Sequence, residues 1–411
     1  MQLPYRKTVL ENGITTLTQS VGSVRSVAVG VFIQAGTSDE KGSNNGIAHF
    51  LEHMSFKSTK TRTAYNIVED IESRGGHINA YTSREMTAYY ARILDTELDT
   101  ALEVLCDIVR HSTYPDKEIE REKSVVIEEI RDTLDTPQDV ANDSFSRQMF
   151  PDHPYGYPIL GSLESVRSFN SGTVREFVLD HYTSRRIFVI AAGALEHEHV
   201  VRKVREMFGD YITPDNVRKI SPVPDAVQKE QVISRDIAQC HYITGCRSIG
   251  YSDERRTAYM ILNAILSAGM TSRLFHNIRE QYGFAYTIYS FIDAFRSTGL
   301  FGVYTATDLK HVGKLDELIW KELNKLKKER ISAEELKKVK AQTKGAMVMG
   351  IESMHNRLER MAQQHLRYGK IISIDESLKK VEAVSGKDIQ DLANEIFDES
   401  AFHSLLLKPV R

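Results

Sequence analysis

The sequence predicts an α+β fold of two similar α/β domains, each an antiparallel-rich sheet flanked by helices. Short β-prone runs alternate with longer segments of helical periodicity along the whole chain. A Pro-containing polar stretch, Thr213-Pro214-Asp215 and then Ser221-Pro222-Val223-Pro224-Asp225, interrupts that pattern near the middle. Beyond it the order of strand and helix recurs in outline, as a degenerate internal repeat does. The expected partition is a domain over residues 1–215, a linker over 216–226 and a second domain over 227–411.

Residues 7–10 and 14–18 flank Glu11-Asn12-Gly13, and Asn-Gly between β-prone runs favours a hairpin. Ser26–Ile33 reads as a strand, followed by a polar loop through Ser43. A short helix comes next, with Ser43, Asn44 and Asn45 expected to cap its start. At about 100° per residue, Ile47, Phe50, Leu51 and Met54 form its apolar arc, and His49, Glu52 and His53 fall opposite. A helix over 64–73 leads to a strand at 78–82, with 87–93 as its antiparallel neighbour. Helices follow over 96–110 and from Asp116, read as a cap, to about Leu134. On the latter, Ile119, Val126, Ile127, Ile130 and Leu134 make the apolar stripe. Glu122 and Glu129 lie together at its edge, about two turns apart, while Glu128 points to solvent. Helices at 139–149 and 173–182, the strand Ile187–Gly193 and a helix over 197–208 complete this half.

In the second half, 239–245 answers Ser26–Ile33 as a strand, and Arg256–Ser267 stands where the histidine helix stood, with no His-x-x-Glu-His. Another helix covers 268–280. Beyond residue 310 lysines and glutamates alternate at helical spacing, the pattern of solvated amphipathic helices. Residues 353–362 belong to a long helix whose histidine and methionines pack, and 403–407 closes the chain as a strand.

Lys plus Arg number 53 against 56 Asp plus Glu, a net charge of −3, which argues against general nucleic-acid or anionic-membrane binding. No apolar run reaches the roughly 18 residues of a transmembrane helix. The start at Met1 shows neither a secretory hydrophobic region nor an Arg-rich leader, and Cys106, Cys240 and Cys246 are not in Cys-x-x-Cys spacing. The compartment expected is bacterial cytoplasm rather than mitochondrial matrix.

His49-Phe50-Leu51-Glu52-His53 is His-x-x-Glu-His, the inverse of the His-Glu-x-x-His zincin motif. Imidazoles one turn apart on a helix sit about 6 Å from each other, near enough to share one tetrahedral ion. The carboxylate between them is then a general base. Two histidines and a glutamate plus water form a recognised catalytic zinc set, which makes the inward Glu129 the candidate third ligand.

Together with Glu122 and Glu129 downstream, this motif resembles the pitrilysin-like inverzincin metallopeptidases, closest to the mitochondrial processing peptidase β-subunit and its small bacterial homologues. The likeness continues through Gly75-Gly76-x-x-Asn79-Ala80-x-Thr82-Ser83-x-x-Met86-Thr87-x-Tyr89, Arg121-Glu122-Lys123, His153-Pro154-Tyr155-Gly156 and Pro158-Ile159-Leu160-Gly161. It implies two domains facing each other as a clamshell, with one Zn2+ per chain on His49, His53 and Glu129 of the first. It implies Glu52 as the base and Glu122 as a carboxylate that orients a ligand. Arg279 and Tyr286 match, in type and spacing, the family's arginine and tyrosine that reach across to the zinc site and hold the developing oxyanion.

The strand at 78–82 is expected to receive substrate as an added strand, with Asn79 and Ala80 near the scissile bond and Phe50 lining an adjoining pocket. The function so implied is a zinc endopeptidase of short or unfolded peptides, presequence-like basic ones among them, acting as a homodimer without nucleic acid or membrane. The competing reading is a non-catalytic or substrate-binding subunit of the same fold, an assembly core protein, in which zinc motifs are typically broken.

Overall fold

A computed structural model describes residues 4–214, 218 and 220–410. Strands β1 (Tyr5–Val9), β2 (Thr15–Ser20), β3 (Ser26–Ile33), β4 (His77–Thr82), β5 (Thr87–Leu94) and β6 (Ile187–Gly193) form one sheet in the order β1-β2-β6-β3-β5-β4. Only β2 and β6 run parallel. The β1–β2 hairpin turns at Asn12-Gly13, where Gly13 has φ +95°. β3 is buried from Val27 to Ile33, hence its nearly unbroken apolar sequence.

Helices α1 (Ile47–Ser55), α2 (Ala64–Glu72), α3 (Leu98–Arg110), α4 (Asp116–Leu134), α5 (Pro137–Met149), α6 (Leu163–Ser168), α7 (Ser171–His181) and α8 (His197–Phe208) punctuate this half. Val27, Val29, Val31, Tyr89 and Ala91 on one sheet face meet Phe50, Leu51, Leu102, Leu105 and Val204 from α1, α3 and α8.

Strands β7 (Glu230–Arg235), β8 (Cys240–Ser248), β9 (Ala285–Ala294), β10 (Gly299–Thr307) and β11 (His403–Pro409) form a second sheet, ordered β7-β11-β8-β10-β9, with β7 and β11 parallel. This is the order β2-β6-β3-β5-β4 over again, with the parallel pair in the same place. The repeat glimpsed in the sequence is therefore a repeat of sheet topology. Helices α9 (Arg256–Ser267), α10 (Val312–Lys328), α11 (Ala333–Gly350), α12 (Met354–Tyr368), α13 (Ile374–Ala383) and α14 (Gly386–Ile396) accompany it.

The compact units do not follow one boundary. One comprises Met1–Asp132, Asp152–Val223 and Gly350–Ile371, and the other Thr133–Pro151, Pro224–Met349 and Ile372–Arg411. The break at Val223/Pro224 falls inside the expected linker over 216–226, of which Asn216, Val217 and Lys219 lie outside the described residues. The expected domains over 1–215 and 227–411 differ from these units by two helices. α12 packs on β3 and β6 of the first sheet, where Met354, Leu358 and Met361 cover Ala28, Phe32 and Ile190; α5 packs on β8 and β11 of the second. In both repeats the exchanged element is the third of the five α-helices between the third and last strands of the shared topology. A boundary drawn from one Pro-containing stretch misses the exchange, because apolar faces do not announce which sheet they cover. Among the described residues no helix is long and apolar enough to cross a membrane.

His365 on α12 is buried, with its ring 5.1 Å from that of Phe188. Burial, helped by the charge of Lys7, pulls its imidazole down to about 4 from 6.5. The unfolded chain therefore binds a proton between those values that the folded chain refuses, so stability falls as pH drops from 6.5 towards 4. Urea titrations across that range should show His365→Leu losing less stability on acidification than the parent chain.

Candidate metal centre

α1 buries Ile47, Phe50, Leu51 and Met54 against the sheet and turns His49, Glu52 and His53 the other way. α4 does the same with Ile119, Val126 and Ile130, so Glu122 and Glu129 face α1 while Glu128 is exposed and pairs with Arg131. Oε2 of Glu129 lies 3.6 Å from Nε2 of His49 and 3.4 Å from Nε2 of His53. The three ligand atoms lie within 4.8 Å of one another, and no other such group of His, Cys, Asp and Glu occurs among the described residues. The far side of His53 is held by Glu122, whose Oε1 accepts the Nδ1–H bond at 2.8 Å. Oε2 of Glu122 pairs with Nζ of Lys57 at 2.6 Å. Glu52 accepts a 2.6 Å hydrogen bond from the hydroxyl of Thr82 on β4.

The charges of this cluster are unevenly tuned. Burial and the neighbouring His53 pull the His49 imidazole down to about 4, so the ring is neutral. For His53 burial works the same way, but contacts with Glu122 and Glu129 outweigh it and push the ring up to about 9. Burial raises the Glu52 carboxyl, with the Thr82 bond opposing. His53 holds Glu129 below the ordinary glutamate range; for Glu122 the bonds from His53 and Lys57 overcome the burial that would raise it.

The start of α1 differs from the expected cap by Ser43, Asn44 or Asn45. Gly46 is the N-cap, at φ +93°, and makes no side-chain bond. The buried Glu40 does the capping instead: its carboxyl accepts from Gly46 N at 2.8 Å, Ala48 N at 2.9 Å and Asn45 Nδ2 at 2.9 Å. Asn45 also donates to the Pro158 carbonyl. Gly161 approaches Gly46 so closely that a Cβ on either would meet the other's backbone at 2.8 Å or less. The Pro158–Gly161 motif thus braces the metal helix. His153 is likewise structural, bonded to Tyr155 N and the Ser221 carbonyl. Asp116 begins α4 rather than capping it.

Of the expected substrate contacts, Phe50 is corrected. It is fully buried, 5.3 Å from the ring of Phe169, because it belongs to the apolar face of α1 opposite His49. Alternation along β4 places Ala80 and Thr82 on the α1 side and Asn79 on the other face with Tyr81; Oδ1 of Asn79 accepts from Ala80 N. Arg279 and Tyr286 belong to the other unit. Arg279 lies in a π-helical stretch, Phe275–Glu280, with its guanidinium 4.7 Å from the Phe275 ring centre, and Tyr286 is exposed on β9.

The family model described as Insulinase (Peptidase family M16) matches residues 15–163, which hold the whole cluster, and the model of the Peptidase M16 inactive domain matches 168–343. The chain belongs to peptidase family M16. An uncharacterized zinc protease of Bacillus subtilis is 35% identical over 389 residues, 95% of each chain. One of Rickettsia bellii is 34% identical over 409 residues, covering 99% of this chain and 98% of the relative. A protease from Helicobacter pylori shares the fold, with a TM-score of 0.93 at 22% identity over the full length of both chains. α9, which follows β8 as α1 follows β3, carries neither histidine nor glutamate.

The sequence reading missed Glu40, Lys57 and the anchoring role of Thr82. Lys57 was accessible, being one helical turn beyond His53. Glu40 sits in a loop with no periodicity to mark it. Replacing Glu40 with alanine orphans two buried amides at about 1–3 kcal/mol each, so thermal unfolding should reveal a loss of at least about 2 kcal/mol.

Proposed function

We propose that this M16 peptidase is a zinc-dependent endopeptidase that hydrolyses short or unfolded peptides bound in extended conformation. The observation that carries the reading is the convergence of His49 Nε2, His53 Nε2 and Glu129 Oε2. Two imidazoles and a carboxylate suit zinc, and their mutual distances are longer than ordinary hydrogen bonds, so they converge without closing on each other. One ion per chain is expected on these three residues. When bound, zinc supplies Lewis acidity to the peptide carbonyl and to water. The names of the relatives as zinc proteases support the same assignment.

The chain's own groups take the remaining roles. Glu52, oriented by the Thr82 hydroxyl, accepts the proton of the attacking water and passes it to the leaving amine. Glu122 keeps the proton of His53 on Nδ1 and so leaves Nε2 to the metal. β4 is the terminal strand of its sheet, and its free edge can receive an extended peptide by main-chain pairing. Ala80 and Thr82 then line the side nearer Glu52, and Asn79 takes part through its backbone. Arg279 and Tyr286 are read, on the likeness to the pitrilysin-like enzymes, as the cation and phenol that hold the oxyanion. Presequence-like basic peptides are the substrate class to try first on the same likeness. A homodimer in bacterial cytoplasm is the expected working form, because the metal set is complete in one chain.

Elemental analysis should find one zinc per chain, and cleavage of an unstructured basic peptide should stop on chelation. Glu52→Gln should keep its zinc and lose about 10²-fold or more in kcat; a variant that still cleaves at the parent rate removes Glu52 from the mechanism. Tyr286→Phe should cost about 10²–10³-fold in kcat if it is an oxyanion donor. Light scattering on the eluting protein should give twice the chain mass.

A further inference from the structure

We propose that Lys57 is a positioning residue of the metal centre, acting on the ion through Glu122 and His53. The inference rests on the zinc reading above. Lys57 follows the C-terminal end of α1, where its own N–H donates to the Met54 carbonyl at 3.2 Å. That bond ties the lysine to the helix that carries both histidines. From there its Nζ reaches Oε2 of Glu122 at 2.6 Å, while Oε1 of the same carboxylate takes the His53 Nδ1–H at 2.8 Å. The relay therefore runs from ammonium to carboxylate to imidazole, and each atom has a single assigned partner.

Burial makes the lysine more than a surface charge. Glu122 is only 2% exposed, so without Lys57 its Oε2 has neither protein partner nor ready access to water. A buried carboxylate left with one oxygen unpartnered turns towards another donor, and turning removes the acceptor that keeps His53 in its ligating tautomer. Among the described residues, Lys57 is the lysine or arginine in ion-pair contact with Glu52, Glu122 or Glu129.

The test compares full-length parent protein with Lys57→Met, Lys57→Arg, Glu122→Gln and the Lys57→Met/Glu122→Gln double variant. Zinc affinity is read by competition with a chromophoric chelator, the ligand field by visible absorption of the Co2+ form, and turnover as separate kcat and KM. Lys57→Met should bind zinc about 10–100-fold more weakly, change the Co2+ spectrum and lower kcat with little effect on KM. Lys57→Arg should restore most of the affinity. In the Glu122→Gln background Lys57→Met should add no further loss, because the relay is already cut. Parent-like zinc affinity in Lys57→Met, or a full additional loss in the double variant, overturns the proposal. If Lys57→Met does not fold, Lys57→Leu, which likewise leaves Oε2 without a donor, is put through the same assays and judged by the same outcomes. Failure of the parent chain itself to bind zinc overturns the metal reading, and this proposal with it.

Discussion

A helix as short as α1 does not hold its shape in water by itself, so the metal centre depends on how tertiary contacts pin both of its ends. At the start, Glu40 gathers the free amides of Gly46 and Ala48, and the backbone of Gly161 closes over Gly46. Past the other end, Lys57 and His53 share the carboxylate of Glu122 on α4. Between those two anchors the apolar face is clamped onto the sheet by Ile47, Phe50, Leu51 and Met54. The histidines have little freedom left. Preorganisation of this kind holds Nε2 of His49, Nε2 of His53 and Oε2 of Glu129 in fixed positions relative to one another.

The two sheets share one topology, and His49, Glu52 and His53 accompany only the first. β8 and β3, β10 and β5, and β9 and β4 occupy corresponding places, and each sheet keeps one parallel pair at the same position. α9 follows β8 as α1 follows β3, yet its residues Arg256–Ser267 are largely apolar and hold no ligand type of the metal set. The fold needs only the buried side of that helix. The exchange of α5 and α12 between the units gives each sheet a cover for its second face, which is why β3 and β8 are both strongly buried.

Much of the candidate site was legible because helical periodicity is a strict constraint. With Ile119, Val126 and Ile130 buried, Glu129 had to face inward and Glu128 outward, and the structure has them so. The same logic applied to Phe50 would have kept it out of the substrate path, since it lies on the apolar arc with Leu51 and Met54. That error came from sequence proximity to His49 and Glu52, which says nothing about direction along a period of 3.6. Along β4, strand alternation puts Asn79 and Ala80 on opposite faces.

By itself the sequence determined the elements and the candidate site: His49, Glu52 and His53 on one face of a helix, Glu122 and Glu129 on one face of another, and a repeated α/β pattern. Those are local properties, set by residue spacing within a single helix or strand. Only the tertiary structure decided that α1 is capped by Glu40, that Lys57 closes on Glu122, and that α12 covers the first sheet while α5 covers the second. Each of these joins residues from different elements, and an apolar face or a loop carboxylate has many possible partners until the chain has packed. Periodicity is written in the order of residues; partnership is settled by packing.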